Sequence, residues 1–114
     1  MDEISALLMA KALDGLAMRA AATSQNIANT QTPAYQPLRV RFEEQLRRAA
    51  AAGPEAIRAV QPEYIRALPE HGDAALRLDL EMATASQTAL RYAALVDLLG
   101  RQMQLHRLAV RGGQ

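Results

Sequence analysis

Ser24-Gln25-Asn26-Ile27-Ala28-Asn29-Thr30-Gln31-Thr32-Pro33-Ala34-Tyr35 closes a long amphipathic segment with two asparagines three residues apart, then Thr-Pro and an aromatic. Asparagine competes for backbone hydrogen bonds and tolerates the left-handed conformation, so Asn29 is a natural helix stop. Pro33 cannot continue a helix and drives Thr32 towards an extended conformation. The stretch therefore predicts a helix end and a sharp, ordered exit, with Tyr35 available to pin the departing chain.

Upstream of the exit, from about Asp2 to Asn29, Met9, Leu13, Leu16, Ala20, Thr23 and Ile27 follow alternating four- and three-residue steps. That is a coiled-coil seam, broadened by Ile4, Leu7 and Leu8 near its start. Gly15 interrupts the run at a cost of about 1 kcal/mol relative to Ala, a weak point in an isolated helix. Near the other end of the chain, Met82, Ala85, Ala89, Tyr92, Val96, Leu99, Met103 and Val110 define a second seam, broken by His106. Leu95, Leu98, Leu105 and Leu108 lie on neighbouring faces, too broad a surface for one partner helix to cover. Between the two, Phe42 to Ala52 reads as a short helix with i,i+4 pairs joining Glu43 and Glu44 to Arg47 and Arg48. Gly53-Pro54, Gln61-Pro62, Leu68-Pro69 and Gly72-Asp73 then punctuate the chain, so residues 54–70 are expected to contribute little core.

With 114 residues the chain supports one domain. Aromatic residues are only 4%, there is no Trp and Phe42 is the only Phe, which leaves Ala, Leu, Met and Val to fill a core. Those residues suit closely packed helices, and no alternating apolar run marks a strand. A net charge of +1 argues against broad capture of nucleic acid, and the absence of Cys excludes disulfides and thiolate metal sites. No segment approaches the apolar length of a membrane span. The opening Met1-Asp2-Glu3 lacks the basic region of a secretory leader, so no cleaved signal peptide is expected.

The exit string resembles the N-terminal signature of the bacterial flagellar axial proteins, the rod, hook and hook-associated subunits. That signature runs as a leucine-bearing helix followed by S-x-N-I-A-N-x-x-T-P-G-Y. Asn26, Ile27, Ala28, Asn29, Thr32, Pro33 and Tyr35 match it, while Ala34 stands in place of Gly. A Gly there permits a positive φ that Ala accepts only at a cost. Asp79-Leu80-Glu81-Met82, Thr88-Ala89-Leu90-Arg91-Tyr92 and Ala94-Leu95-Val96 resemble the closing signature of one branch, the B-type proximal rod subunits. That signature reads D-L-E-x-E-M and then L-R-Y-x-A-L; here Met82 directly follows Glu81. The short middle, without a large inserted domain, also resembles a proximal rod subunit.

The resemblance implies an all-α subunit whose long N- and C-terminal helices pair as an antiparallel coiled coil around an irregular or flexible middle. A single rod-core domain would cover 1–114: the N-terminal helix over 1–30, exit motif and middle over 31–73, C-terminal helix and short tail over 74–114. Helix packing and assembly would fall to Leu13, Leu16, Ile27, Leu90, Arg91, Tyr92, Leu95, Val96, Leu99 and Met103. Other copies, other rod subunits, the rod–ring adaptor protein and the flagellar export gate would be its partners. It would reach the periplasmic rod through the flagellar type III apparatus. The rival expectation is a soluble helical adaptor or regulator that binds one partner through an amphipathic groove.

No catalytic constellation or cofactor site is expected. His71, in a Pro/Gly-rich stretch, and His106 are joined to no other metal ligand by spacing, and no phosphate loop or nucleophile elbow is present. The basic cluster Arg39, Arg41, Arg47 and Arg48 reads first as a salt-bridged helix start beside Glu43 and Glu44, second as a subunit contact. Neither nucleic acid nor a small-molecule substrate is an expected partner.

Overall fold

A computed structural model describes residues 2–69 and 72–112. Helix α1 spans Glu3–Ala28 and begins where the Asp2 carboxylate accepts the Ser5 N–H at 2.6 Å, satisfying one orphan donor of the first turn. It ends at Asn29, whose N–H reaches the Gln25 carbonyl at 3.1 Å and whose side-chain amide reaches the same carbonyl at 2.9 Å. Helix α4 spans Ala74–Gly112, a rod of about 58 Å. The two long helices run antiparallel: Asn26 meets Glu81 near one end and Ala12 packs beside Leu95 further along. The molecule is accordingly elongated, 63 × 26 × 15 Å.

Residues 38–66 of the middle carry regular elements, which corrects the expectation of an irregular or flexible segment. Strand β1 (Leu38–Arg41), helix α2 (Glu43–Ala52), helix α3 (Pro54–Ala59) and strand β2 (Glu63–Arg66) follow in order. The strands pair antiparallel, Leu38 opposite Arg66 and Arg41 opposite Glu63, so the chain is mainly helical rather than all-α. Proline and glycine punctuate these elements without breaking them. Pro54 opens α3, where a missing N–H is harmless, and Gly53 supplies the φ of 114° that turns α2 into α3.

Two small cores result. Leu16, Ala22, Val40 and Phe42 form the first, with Leu38, Leu46 and Leu95 packed round it. Ala49, Ile57 and Val60 form the second, against Leu7 and Leu8 of α1. Ile57 is fully buried, so residues 54–70 carry core after all. The chain's only lysine ties this layer down: Lys11 Nζ donates to the Val60 carbonyl, at the C-cap of α3, over 2.7 Å.

Gly15 is explained by the same packing. A Cβ there would lie 2.4 Å from the Phe42 ring, so the glycine is a seat for the aromatic and not a weak turn. Arg19 lies over the ring, its guanidinium 4.9 Å from the centroid. It donates twice to Glu43, at 2.6 and 2.7 Å, and once to the Val40 carbonyl at 2.9 Å. Those hydrogen bonds hold the Glu43 carboxyl below its ordinary pKa. A lowered carboxyl contributes stability above its unfolded pKa and loses it as pH falls through the folded value. Thermal melts should therefore show the gap between the parent and Arg19→Met narrowing below about pH 4.

Candidate functional site

The exit motif folds into a hydrogen-bonded hub. Asn26 sits on the buried side of α1, 3% exposed, and its amide reads the Leu38 main chain as a neighbouring strand would. Oδ1 accepts the Leu38 N–H at 2.8 Å and Nδ2 donates to the Leu38 carbonyl at 2.9 Å. The remaining capacity is used too: Oδ1 accepts the Tyr35 hydroxyl at 3.0 Å, and Nδ2 donates to Glu81 Oε2 at 3.2 Å. Glu81, 5% exposed, receives Arg39 Nη1 on its other oxygen at 2.6 Å. A buried carboxylate is tolerable only when paired and bonded in this way. One side chain thus joins α1, β1 and α4, and no buried side-chain N or O among the described residues lacks a partner.

The other motif residues shape the turn. Thr32 N–H donates to the Asn29 carbonyl at 3.0 Å and its hydroxyl to Asn29 Oδ1 at 3.0 Å. Ile27 is half-buried, Ala28 and Pro33 are exposed, and Tyr35 lies under the Arg66 guanidinium, 5.6 Å from its ring centre. Ala34 adopts φ 57°, the left-handed region that Gly occupies without strain. Ala34→Gly should therefore stabilise the protein by about 1 kcal/mol in urea titrations, because relief of strain exceeds the entropic cost. Arg77 anchors the turn to α4, donating to the Thr30 carbonyl at 3.1 Å and also to the Gly72 carbonyl. A polar cavity of about 70 Å³ lies beside the hub, between Asn29, Tyr35, Arg77 and Glu81.

Sequence reasoning identified the motif but missed the Asn26–Glu81–Arg39 chain. The signal available was Gly15, Ala22 and Asn26, spaced as one helical face narrow enough for another backbone to approach. The basic cluster divides. Arg39 serves the hub, while Arg47 and Arg48 both pair with Glu44, leaving Glu43 to Arg19 instead of to Arg47. Arg41 is exposed.

On α4 the sheltered stripe is Ala74, Arg77, Leu78, Glu81, Thr84, Ala85, Thr88, Leu95, Leu99 and Gln102. It runs about one residue out of phase with the seam expected from apolar spacing, and it is rich in polar groups. Ala85 and Leu99 are half-buried, whereas Met82, Tyr92, Val96, Met103 and Val110 are exposed. Of the expected packing residues, Leu16 is buried; Leu13, Ile27, Leu95 and Leu99 are half-buried; Leu90, Arg91, Tyr92, Val96 and Met103 face outwards. Leu76, Leu80, Leu90, Leu98, Leu105 and Leu108 are also exposed, so α4 carries apolar flanks on both sides of its contact with α1.

Two apolar troughs accompany those flanks. One, of about 400 Å³, runs between α1 and α4, with Leu16 and Thr88 at its floor and Ala17, Ala20, Ala89 and Ala93 along its walls. The other, about 360 Å³, lies among α1, α2 and α4, lined by Leu8, Met9, Leu46, Ala50 and Leu95. His106 is exposed on the last turns of α4, and His71 lies outside the described residues. Among the described residues no three His, Asp or Glu side chains converge on a possible metal position, and no helix is long and apolar enough to cross a membrane. Neither models of known protein families nor curated proteins give a match to this chain.

Proposed function

We propose that this chain is a structural subunit of the bacterial flagellar basal body, a B-type proximal rod protein that builds the hollow shaft with other copies and other rod subunits. The observation that carries the reading is the pair of apolar flanks on α4, which its own chain leaves uncovered. Contiguous apolar surface on this scale marks a protein–protein interface. The exit motif supports it by fixing, through Asn26, the path of the chain between the two helices that would line the shaft. Its neighbours would include the rod–ring adaptor protein and the export gate, reached by type III export.

Electron micrographs of basal bodies from cells lacking the chain test the reading: rods should be absent, and intact rods would refute it. Point variants sharpen the test. Val96 is 47% exposed, so Val96→Asp should preserve the fold by circular dichroism and abolish swimming. Leu99→Asp, half-buried against α1, should lose both, since a carboxylate there is desolvated without a partner. The two troughs also fit a second reading, an adaptor that seats one partner helix; a discrete complex with one soluble partner, and normal rods without the chain, would favour it.

A further inference from the structure

The two edges of the β1–β2 pair are treated differently. Just beyond the paired residues, the Ala67 N–H donates to the Pro37 carbonyl at 2.9 Å, which fixes the alternation of the ladder. Ile65 opposite Arg39 and Glu63 opposite Arg41 are then the hydrogen-bonded pairs. The residues between them turn their main-chain groups away from the partner strand. On β1 those outward groups are met by α1: Asn26 takes the Leu38 N–H and carbonyl, and Arg19 takes the Val40 carbonyl. On β2 the outward residues are Tyr64 and Arg66. Among the described residues nothing meets their N–H or carbonyl groups.

Side chains along this edge state what would fit it. Glu63 and Arg66 are exposed, Tyr64 is 48% exposed, and Leu68, two residues past Arg66, is 82% exposed. The Arg66 guanidinium is held by the Gln36 carbonyl and the Tyr35 ring, so its remaining N–H groups are presented ready for a carboxylate. We infer that the outer edge of β2 takes up an extended segment of another protein as a third, antiparallel strand. That segment carries an acidic residue opposite Arg66, β-branched residues opposite Ile65 and Tyr64, and a basic residue opposite Glu63. Opposite charges and aromatic–β-branched pairs are favourable directly across an antiparallel pair, and like charges are not. The added strand would satisfy both outward residues and lift the hairpin out of the marginal two-stranded regime. Pro62 and Pro69 bracket the edge and limit the segment to about six residues.

A second copy is not the occupant. Residue 66 faces outwards and residue 63 inwards, so no antiparallel register of two β2 edges sets Glu63 across from Arg66. Nothing in the pairing depends on a rod, and the state of the rods in deletion cells leaves it untouched.

The probe is the acetylated, amidated hexapeptide Val-Thr-Glu-Val-Ile-Lys, titrated to millimolar concentration into the isotope-labelled full chain. The Tyr64 and Arg66 amide signals should shift, and their hydrogen exchange should slow about fivefold near saturation. The isomer with Glu and Lys exchanged should bind about tenfold more weakly, and Glu63→Lys with Arg66→Glu should invert that preference. Tyr64→Pro removes an outward N–H that the fold does not use, so it should lose the peptide, whereas Tyr64→Thr should keep it within about threefold. No shift with either peptide, equal binding of the two isomers, or shifts centred on the α4 flanks would overturn the inference. Concentration-dependent shifts at Tyr64 and Arg66 without peptide would give the edge to a second copy and overturn it too.

Discussion

Asn26→Ala should cost about 4 kcal/mol in chemical denaturation, because it strips partners from several buried groups at once. The Leu38 N–H and carbonyl, the Tyr35 hydroxyl and the Glu81 carboxylate all lose a bond. A loss below about 1 kcal/mol would mean that the hub is solvated in the folded protein. Asn26→Asp separates the contributions. It keeps the acceptor for Leu38 and Tyr35, loses the donor, and sets a second carboxylate beside Glu81. At neutral pH it should be at least as unstable as Asn26→Ala. It should recover in mild acid, where one carboxyl takes a proton and donates to the other. An acid-independent deficit would point away from the Glu81 contact.

Gly15→Ala should lower stability by about 2 kcal/mol, although alanine is the better helix former by about 1 kcal/mol. The added Cβ would sit 2.4 Å from the Phe42 ring, which is 3% exposed, clustered with Leu16 and Val40, and has Arg19 over it. Overpacking of this kind forces backbone shifts, so the cost outweighs the gain in propensity. Phe42→Leu in the Gly15→Ala background should recover part of the loss, and a double-mutant cycle on the pair should show coupling of about 1 kcal/mol or more. Additive effects would show that the ring can move aside freely.

The long helices and their ends were legible because each carries its own punctuation: Asn29 and Pro33 stop α1, and Gly72-Asp73 precedes α4. Helix α2 was legible within a residue. The rest of the middle was not. Its strands are four residues each, and β1 meets β2 across the whole of α2 and α3, so neither announces itself by alternation. Val40, Phe42, Ile57 and Val60 look isolated along the chain and become a core only when α1 gathers them. On α4 the difficulty was direction. Spacing fixes the period of the apolar pattern and says nothing about which flank turns inwards, and here the most apolar flanks turn out. Glu81 and Thr88 took the sheltered stripe, a choice that only the partners on α1 and β1 explain.

That polar stripe sets how α4 can move. A wholly aliphatic seam offers many nearly equal alignments, and two helices under axial load can creep past each other a turn at a time. Here a slip of one turn, about 5.4 Å, would carry Glu81 away from both Asn26 and Arg39 and leave its buried carboxylate without either partner. Arg77 would leave the Thr30 carbonyl in the same step. Displacement therefore has one deep detent and steep walls, as in a pawl seated in a ratchet. The pair behaves as a strut of fixed length, and an axial push on α4 passes into the exit turn and the hairpin instead of being lost in sliding.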